Sequence, residues 1–253
     1  MSVPLPRSFE KLGLLLGCLV VGGAIAPMAG AEEEAAFYGR AEVGFHNQYN
    51  FRGFKAGDWA PSAAFDLVIP VRAQSGLAFN LGAWYVDPID DSYNEVGIYA
   101  YSIASVADFQ FRVGGIFFVF PSDDLVTGEF GAAVSYSLLD FVDLKLSWWS
   151  DVKGDGFWED ELRFGHYAEF SAEKSIELTN WLSVDLATGV SYGIDYYGSD
   201  GWNHAFATVD FPVAISETIT LKPYVGGTLA LEGLEDAGED DQFLWGLRLA
   251  VGF

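Results

Sequence analysis

The last twelve residues, Gln242-Phe-Leu-Trp-Gly-Leu-Arg-Leu-Ala-Val-Gly-Phe253, carry the pattern that decides the fold. The odd positions Phe243, Trp245, Leu247, Leu249, Val251 and Phe253 are large and apolar, whereas the even positions Gln242, Leu244, Gly246, Arg248, Ala250 and Gly252 are, Leu244 apart, small or polar. A period of two belongs to a β-strand, whose successive side chains point to opposite faces. One face of this strand is greasy and the other is not.

The same alternation recurs along the chain. Ala41-Val43-Phe45 oppose Arg40, Glu42 and His46, and Phe65-Leu67-Ile69 oppose Asp66 and Arg72. Leu77-Phe79-Leu81 oppose Asn80 and Trp84, Val96-Ile98-Ala100 oppose Glu95, Tyr99 and Tyr101, and Phe109-Phe111-Val113 oppose Asp108 and Arg112. Later strands set apolar rows against Glu129, Asp143, Lys145, Arg163, Glu169, Asp185, Asp210 and Lys222. About twelve strands of roughly 9–11 residues result, the length a tilted membrane strand needs.

Composition explains where these faces lie. The chain is 51% hydrophobic and 16% aromatic, yet carries a net charge of −23, so grease and acid occupy different places. A soluble β-sandwich also alternates. Against it, the polar rows are rich in Gly, Ser, Ala and Tyr, with Lys145 and Lys222 their only lysines, and Trp and Tyr recur near strand ends, including Tyr38, Tyr49, Tyr85, Tyr93, Trp148, Trp149, Trp181 and Trp202. The expected fold is all-β: a transmembrane up-and-down antiparallel β-barrel of about 12 strands.

Residues 1–31 read as a cleaved signal peptide: Arg7 and Lys11, an apolar run from Leu12 to Ala26, then Ala29-Gly30-Ala31. An uncleaved helix, or lipid attachment at Cys18, is the alternative. Cleavage removes the only cysteine, so residues 32–253, the expected barrel, need no disulfide. Short turns alternate with mostly longer connections at 50–60, 87–92, 121–126, 151–161, 194–202 and 232–241. An even strand count puts both termini on the short-turn, periplasmic side. A final strand ending on an aromatic resembles the closing strand of bacterial outer-membrane barrels. That resemblance implies that Phe253 is part of the signal read by the barrel-assembly machinery.

The candidate lumen residues are Arg40, Glu42, Asp66, Arg72, Glu95, Tyr99, Arg112, Glu129, Lys145, Arg163, Glu169, Asp185, Asp210, Lys222 and Arg248. Most of the remaining acid falls in the longer connections, above all Glu232, Glu235, Asp236, Glu239, Asp240 and Asp241. The first connection differs, with Arg52 and Lys55 against Asp58. There Gly53 suits a tight turn, and Arg52 is placed to pair with a loop or rim carboxylate.

Tyr49-Asn-Phe51-Arg52-Gly53-Phe-Lys-Ala-Gly57-Asp58-Trp-Ala-Pro61, together with Leu81-Gly82-Ala-Trp84, Asn94-Glu95-Val-Gly-Ile-Tyr99 and Glu129 after Phe120-Pro121, resembles the TorF-type putative porins of the bacterial outer membrane. Lys55-Ala56 and the acidity of the last loop depart from that pattern. The resemblance implies outer-membrane location more strongly than any substrate.

The expected function is a porin-like channel for passive diffusion of small solutes, with acidic loops that favour cations. The alternative is a closed structural barrel whose acidic loops contact divalent cations or lipopolysaccharide. Outer-membrane lipids and lipopolysaccharide are the expected partners. No cofactor and no enzyme activity are expected. None of His46, His166 and His204 has a serine two residues on, as an outer-membrane phospholipase does, and His166 is placed on the lipid face. The acidic loop Asp236–Asp241 lacks EF-hand spacing, and so acidic a chain is a poor binder of nucleic acid.

Overall fold

The computed structural model describes residues 37–71, 75–89, 94–122, 125–138, 141–153 and 163–253. The leader 1–31, Arg72, Tyr93, and the acidic residues Asp155, Glu159, Asp160 and Glu161 lie outside the described residues.

The strands follow one another as antiparallel neighbours: β1 (Tyr38–Phe51), β2 (Phe54–Pro70), β3 (Leu77–Val86), β4 (Glu95–Val106), β5 (Phe109–Phe120), β6 (Leu125–Leu138), β7 (Val142–Lys153), β8 (Arg163–Glu177), β9 (Ser183–Tyr196) and β10 (Ser199–Asp210). A two-residue strand β11 (Val213–Ala214) comes next. It is followed by β12 (Ile219–Ala230), the short helix α1 (Glu232–Asp236) and β13 (Gln242–Gly252). Two pairings close the sheet. β1 meets β13 from Arg40↔Gly252 to His46↔Gly246, and β10 meets β12 from His204↔Ala230 to Asp210↔Tyr224. With β11 a short flap on β12, twelve strands form a closed transmembrane barrel. Closure removes every strand edge and so satisfies the backbone without water, which a lipid-embedded sheet requires.

The two faces separate as the period of two demands. Along β13, Phe243, Trp245, Leu247, Leu249 and Val251 are 64, 42, 46, 37 and 40% exposed, while Gln242, Leu244, Arg248 and Ala250 are buried. Phe65, Phe79, Ile98, Phe111, Phe130, Leu146 and Phe170 continue the outward apolar row around the barrel. A two-sheet sandwich would have buried these side chains between its layers.

Three expectations change. The connections at 50–60 and 194–202 are continuous strand apart from the two-residue turns Arg52-Gly53 and Tyr197-Gly198, so the twelve barrel strands run from 10 to 17 residues. Both turns have positive φ at both positions, 52° and 93° in the first, 46° and 85° in the second. Such turns match the strand twist and prolong a hairpin instead of opening a loop. Secondly, Tyr49 and Trp149 are 2% and 0% exposed and belong to the interior, not to an outer girdle, whereas Tyr85, Trp148, Trp181 and Trp202 do face outward. Thirdly, Asp151 is a buried residue of β7, and Asp108 sits exposed in the β4–β5 turn.

At the seam of the termini, the Phe253 amide donates to the Gly39 carbonyl at 3.1 Å, and the Gly39 amide donates back at 3.0 Å. The Phe253 ring stacks on Phe65 at 6.0 Å. The two-face arrangement predicts that Leu249→Arg costs about 2–4 kcal/mol in folding into bilayers, while Ala250→Ser is near neutral. Equilibrium unfolding from lipid vesicles measures both.

Candidate functional site

The inward rows bring most of the sequence-selected residues into one interior. Glu42, Asp66, Glu95, Tyr99, Arg112, Glu129, Lys145, Glu169, Asp185, Asp210, Lys222 and Arg248 are all buried, and Arg40 is largely so. Arg163 opens β8 in register with Lys153. Glu173, on the same face of β8 as Glu169, and Asp151 add acid that the strand alternation had not assigned inward.

Many of these groups pair, as buried charges tend to, while Arg112 Nη1 and Glu169 Oε1 are buried without a hydrogen-bond partner among the described residues. Arg40 bonds Glu42, and Arg248 bonds Asp210. Asp66 accepts from Asn80 Nδ2 at 2.6 Å and Tyr99 Oη at 2.5 Å. Glu95 accepts from Tyr49 Oη at 2.9 Å and Trp84 Nε1 at 2.7 Å. Glu169 accepts from Tyr167 Oη at 2.6 Å, and the Arg112 guanidinium lies 4.9 Å from the centre of the Tyr101 ring. His46 bridges Tyr224 Oη and Ser62 Oγ at 2.7 and 2.8 Å. His166 is half-buried on the outward row, its ring tilted against Trp148 at 5.2 Å and with Ser150 Oγ at 2.9 Å.

The β1–β2 turn does not project outward. It folds into the barrel and carries Arg52 across to the opposite wall, where the side chain is 2% exposed. Arg52 Nη1 donates to Glu129 Oε1 at 2.6 Å and Nη2 to Glu129 Oε2 at 2.5 Å, the two-pronged geometry in which guanidinium and carboxylate bind most tightly. Nη1 also donates to Tyr196 Oη at 2.6 Å, and Tyr196 in turn donates to Glu129 Oε1 at 2.8 Å. The sequence placed Arg52 beside a loop or rim carboxylate. Its partner is instead an inner-row residue of β6, reached because the long hairpin turns inward.

The rest of the turn is anchored within its own hairpin and on other strands. The Gly53 amide donates to Asn50 Oδ1 at 3.1 Å, and Gln242 Nε2 of β13 donates to the Gly53 carbonyl at 2.7 Å. Phe51 packs edge-on against Phe118 of β5 at 5.4 Å, and Phe54 against Tyr197 at 6.0 Å. A Cβ on Gly53 would lie 2.5 Å from Leu234 Cδ1 and 2.8 Å from His204 Nδ1, so α1 and β10 close over the turn. The hairpin thus spans the interior at the end away from the termini.

No family model matches this chain, and no curated protein matches it. Solved structures do. An outer membrane channel from Pseudomonas putida F1 superposes with a TM-score of 0.55 at 11% identity, covering 91% of this chain and all of that one. The NanC porin gives 0.53 at 11% identity over 85% of this chain and 98% of that one. The KdgM porin gives 0.51 at 9% identity over 85% and 99%. The fold is that of an outer-membrane porin-type barrel. At such identities the likeness is one of architecture. Among the described residues, no group of three or more His, Cys, Asp or Glu is placed to hold a metal ion.

Gly53→Ala tests the docked turn. A side chain at φ 93° is strained, and here it also meets Leu234 and His204. The expected cost is about 1–3 kcal/mol, borne by the hairpin. Limited proteolysis should cut the variant barrel near Phe51 and Phe54 while the wild type resists.

Proposed function

We propose that this chain is an outer-membrane porin-like channel for passive diffusion of small solutes, with a preference for cations. The observation that carries the reading is a closed barrel with lipid-compatible side chains outside and ionisable groups inside, acidic residues in excess. Among the described residues the buried interior holds Glu42, Asp66, Glu95, Glu129, Asp151, Glu169, Asp185 and Asp210 against Arg52, Arg112, Lys145, Lys222 and Arg248, with Arg40 partly buried beside them. Negative potential in a low-dielectric channel concentrates cations and repels anions. The acidic segment Glu232–Asp241 repeats that sign at the hairpin end.

A second reading is favoured by one specific observation, the Arg52 hairpin lying across the interior. In that reading the barrel is closed and structural, and its acidic loops bridge through divalent cations to lipopolysaccharide. In either reading residues 1–31 act as a cleaved export signal. The termini face the periplasm, and Phe253 is recognised by the barrel-assembly machinery. Membership of the TorF-type porins is proposed on Phe51-Arg52-Gly53 and its neighbouring motifs.

Planar-bilayer recording of purified, refolded protein separates the readings. The expected result is a discrete conductance whose reversal potential in a KCl gradient shows cation preference, weaker at high salt as screening shortens the reach of the fixed charges. Anion preference would refute the selectivity, and a silent wild-type barrel would favour the closed structure.

A further inference from the structure

The partner of Arg52 is a built site rather than a single carboxylate. Glu129, Trp149, Tyr167 and Tyr196 come from the four successive strands β6, β7, β8 and β9, so they form one continuous patch of the barrel wall. The guanidinium carbon lies 5.4 Å from the centre of the Trp149 ring, 4.7 Å from that of Tyr167 and 5.4 Å from that of Tyr196. Each Glu129 oxygen takes one hydrogen bond from the guanidinium plane, and Oε1 takes a second from Tyr196 Oη. Aromatic faces and a two-pronged carboxylate are what a planar, delocalised cation wants. An ammonium group, a point charge with tetrahedral donors, cannot reproduce both bonds from one plane.

The occupant does not belong to this wall. Arg52 arrives on a two-residue turn between β1 and β2, from the far side of the interior. We propose that Glu129, Trp149, Tyr167 and Tyr196 form a binding site for guanidinium-bearing solutes, which Arg52 fills as a tethered stand-in until such a solute displaces it. The proposal rests on the channel reading and names its substrate class. Arrival of the solute frees the hairpin from the wall, and the path widens as the site is occupied. A short flexible tether gives its group an effective concentration on the order of millimolar. This turn is held besides by Gln242 and Phe118, so a free guanidinium solute competes only above that range.

The test uses the wild-type barrel with agmatine as probe and putrescine, the corresponding diamine without a guanidinium, as control. Hairpin release is read in detergent by chymotryptic cleavage at Phe51 and Phe54, identified by mass spectrometry, and channel opening by conductance in bilayers. Agmatine should accelerate hairpin cleavage several-fold and saturably, and raise conductance over the same concentrations, while putrescine does neither. Glu129→Gln should be cut rapidly without agmatine and ignore it. Should that variant not fold, judged by heat-modifiable gel mobility, Arg52→Lys keeps the charge but loses the two-pronged grip. Its half-effect concentration for agmatine should fall about tenfold. Equal action of putrescine, or a hairpin that ignores agmatine in a barrel that conducts, overturns the proposal and leaves the channel reading intact. Agmatine-dependent cleavage in a barrel silent under all conditions supports the guanidinium site and overturns the channel.

Discussion

Every main-chain amide and carbonyl in this sheet must find its partner within the sheet, because hydrocarbon supplies none. The two closing pairings, β1 with β13 and β10 with β12, make that possible. Once the ring is closed, each side chain has only two destinations. The outward row is then set by lipid and the inward row by whatever the chain can neutralise internally. That division explains how a polypeptide with a net charge of −23 also presents dozens of exposed apolar side chains.

The interior has its own constraint. A charge taken from water is tolerated only where it is paired and its remaining donors and acceptors are satisfied. Arg52 shows this most fully, with two bonds to Glu129, one to Tyr196 and aromatic rings around it. Removing one partner of such a buried pair costs about 3–5 kcal/mol, because the other charge is stranded. The pair therefore fixes the hairpin's position far more firmly than turn geometry could. It ties the chain's first hairpin to the wall formed by its middle strands.

The strands were legible because lipid enforces a strict period of two, which survives in sequence even where individual residues vary. The inward row could be read for the same reason: Glu42, Asp66, Lys145 and Arg248 each sit between apolar neighbours, and Glu129 between Gly128 and Phe130. What alternation could not reveal was depth and distance. Tyr49 and Trp149 resembled interfacial aromatics because interfacial and interior rings look alike in a one-dimensional pattern. Arg52 resembled a loop residue because its partner lies 77 positions away on β6. The available signal was Arg52-Gly53 between Phe51 and Phe54, a turn flanked by apolar residues that water would not favour at a loop tip. The short helix α1 carried no capping side chain at Leu231 to announce it.

The seam between the first and last strands has a kinetic side. Asn47 and Trp245, joined across it by a hydrogen bond, stand 198 positions apart. Contacts of such separation form late, since the entropy of bringing distant segments together is lost before any pairing rewards it. Until that final zipper shuts, both edges of the growing sheet stay open to other chains. Biogenesis of this barrel therefore hinges on shielding two unfinished margins at once, and a weakened seam would show itself first as aggregation during assembly rather than as instability of the finished ring.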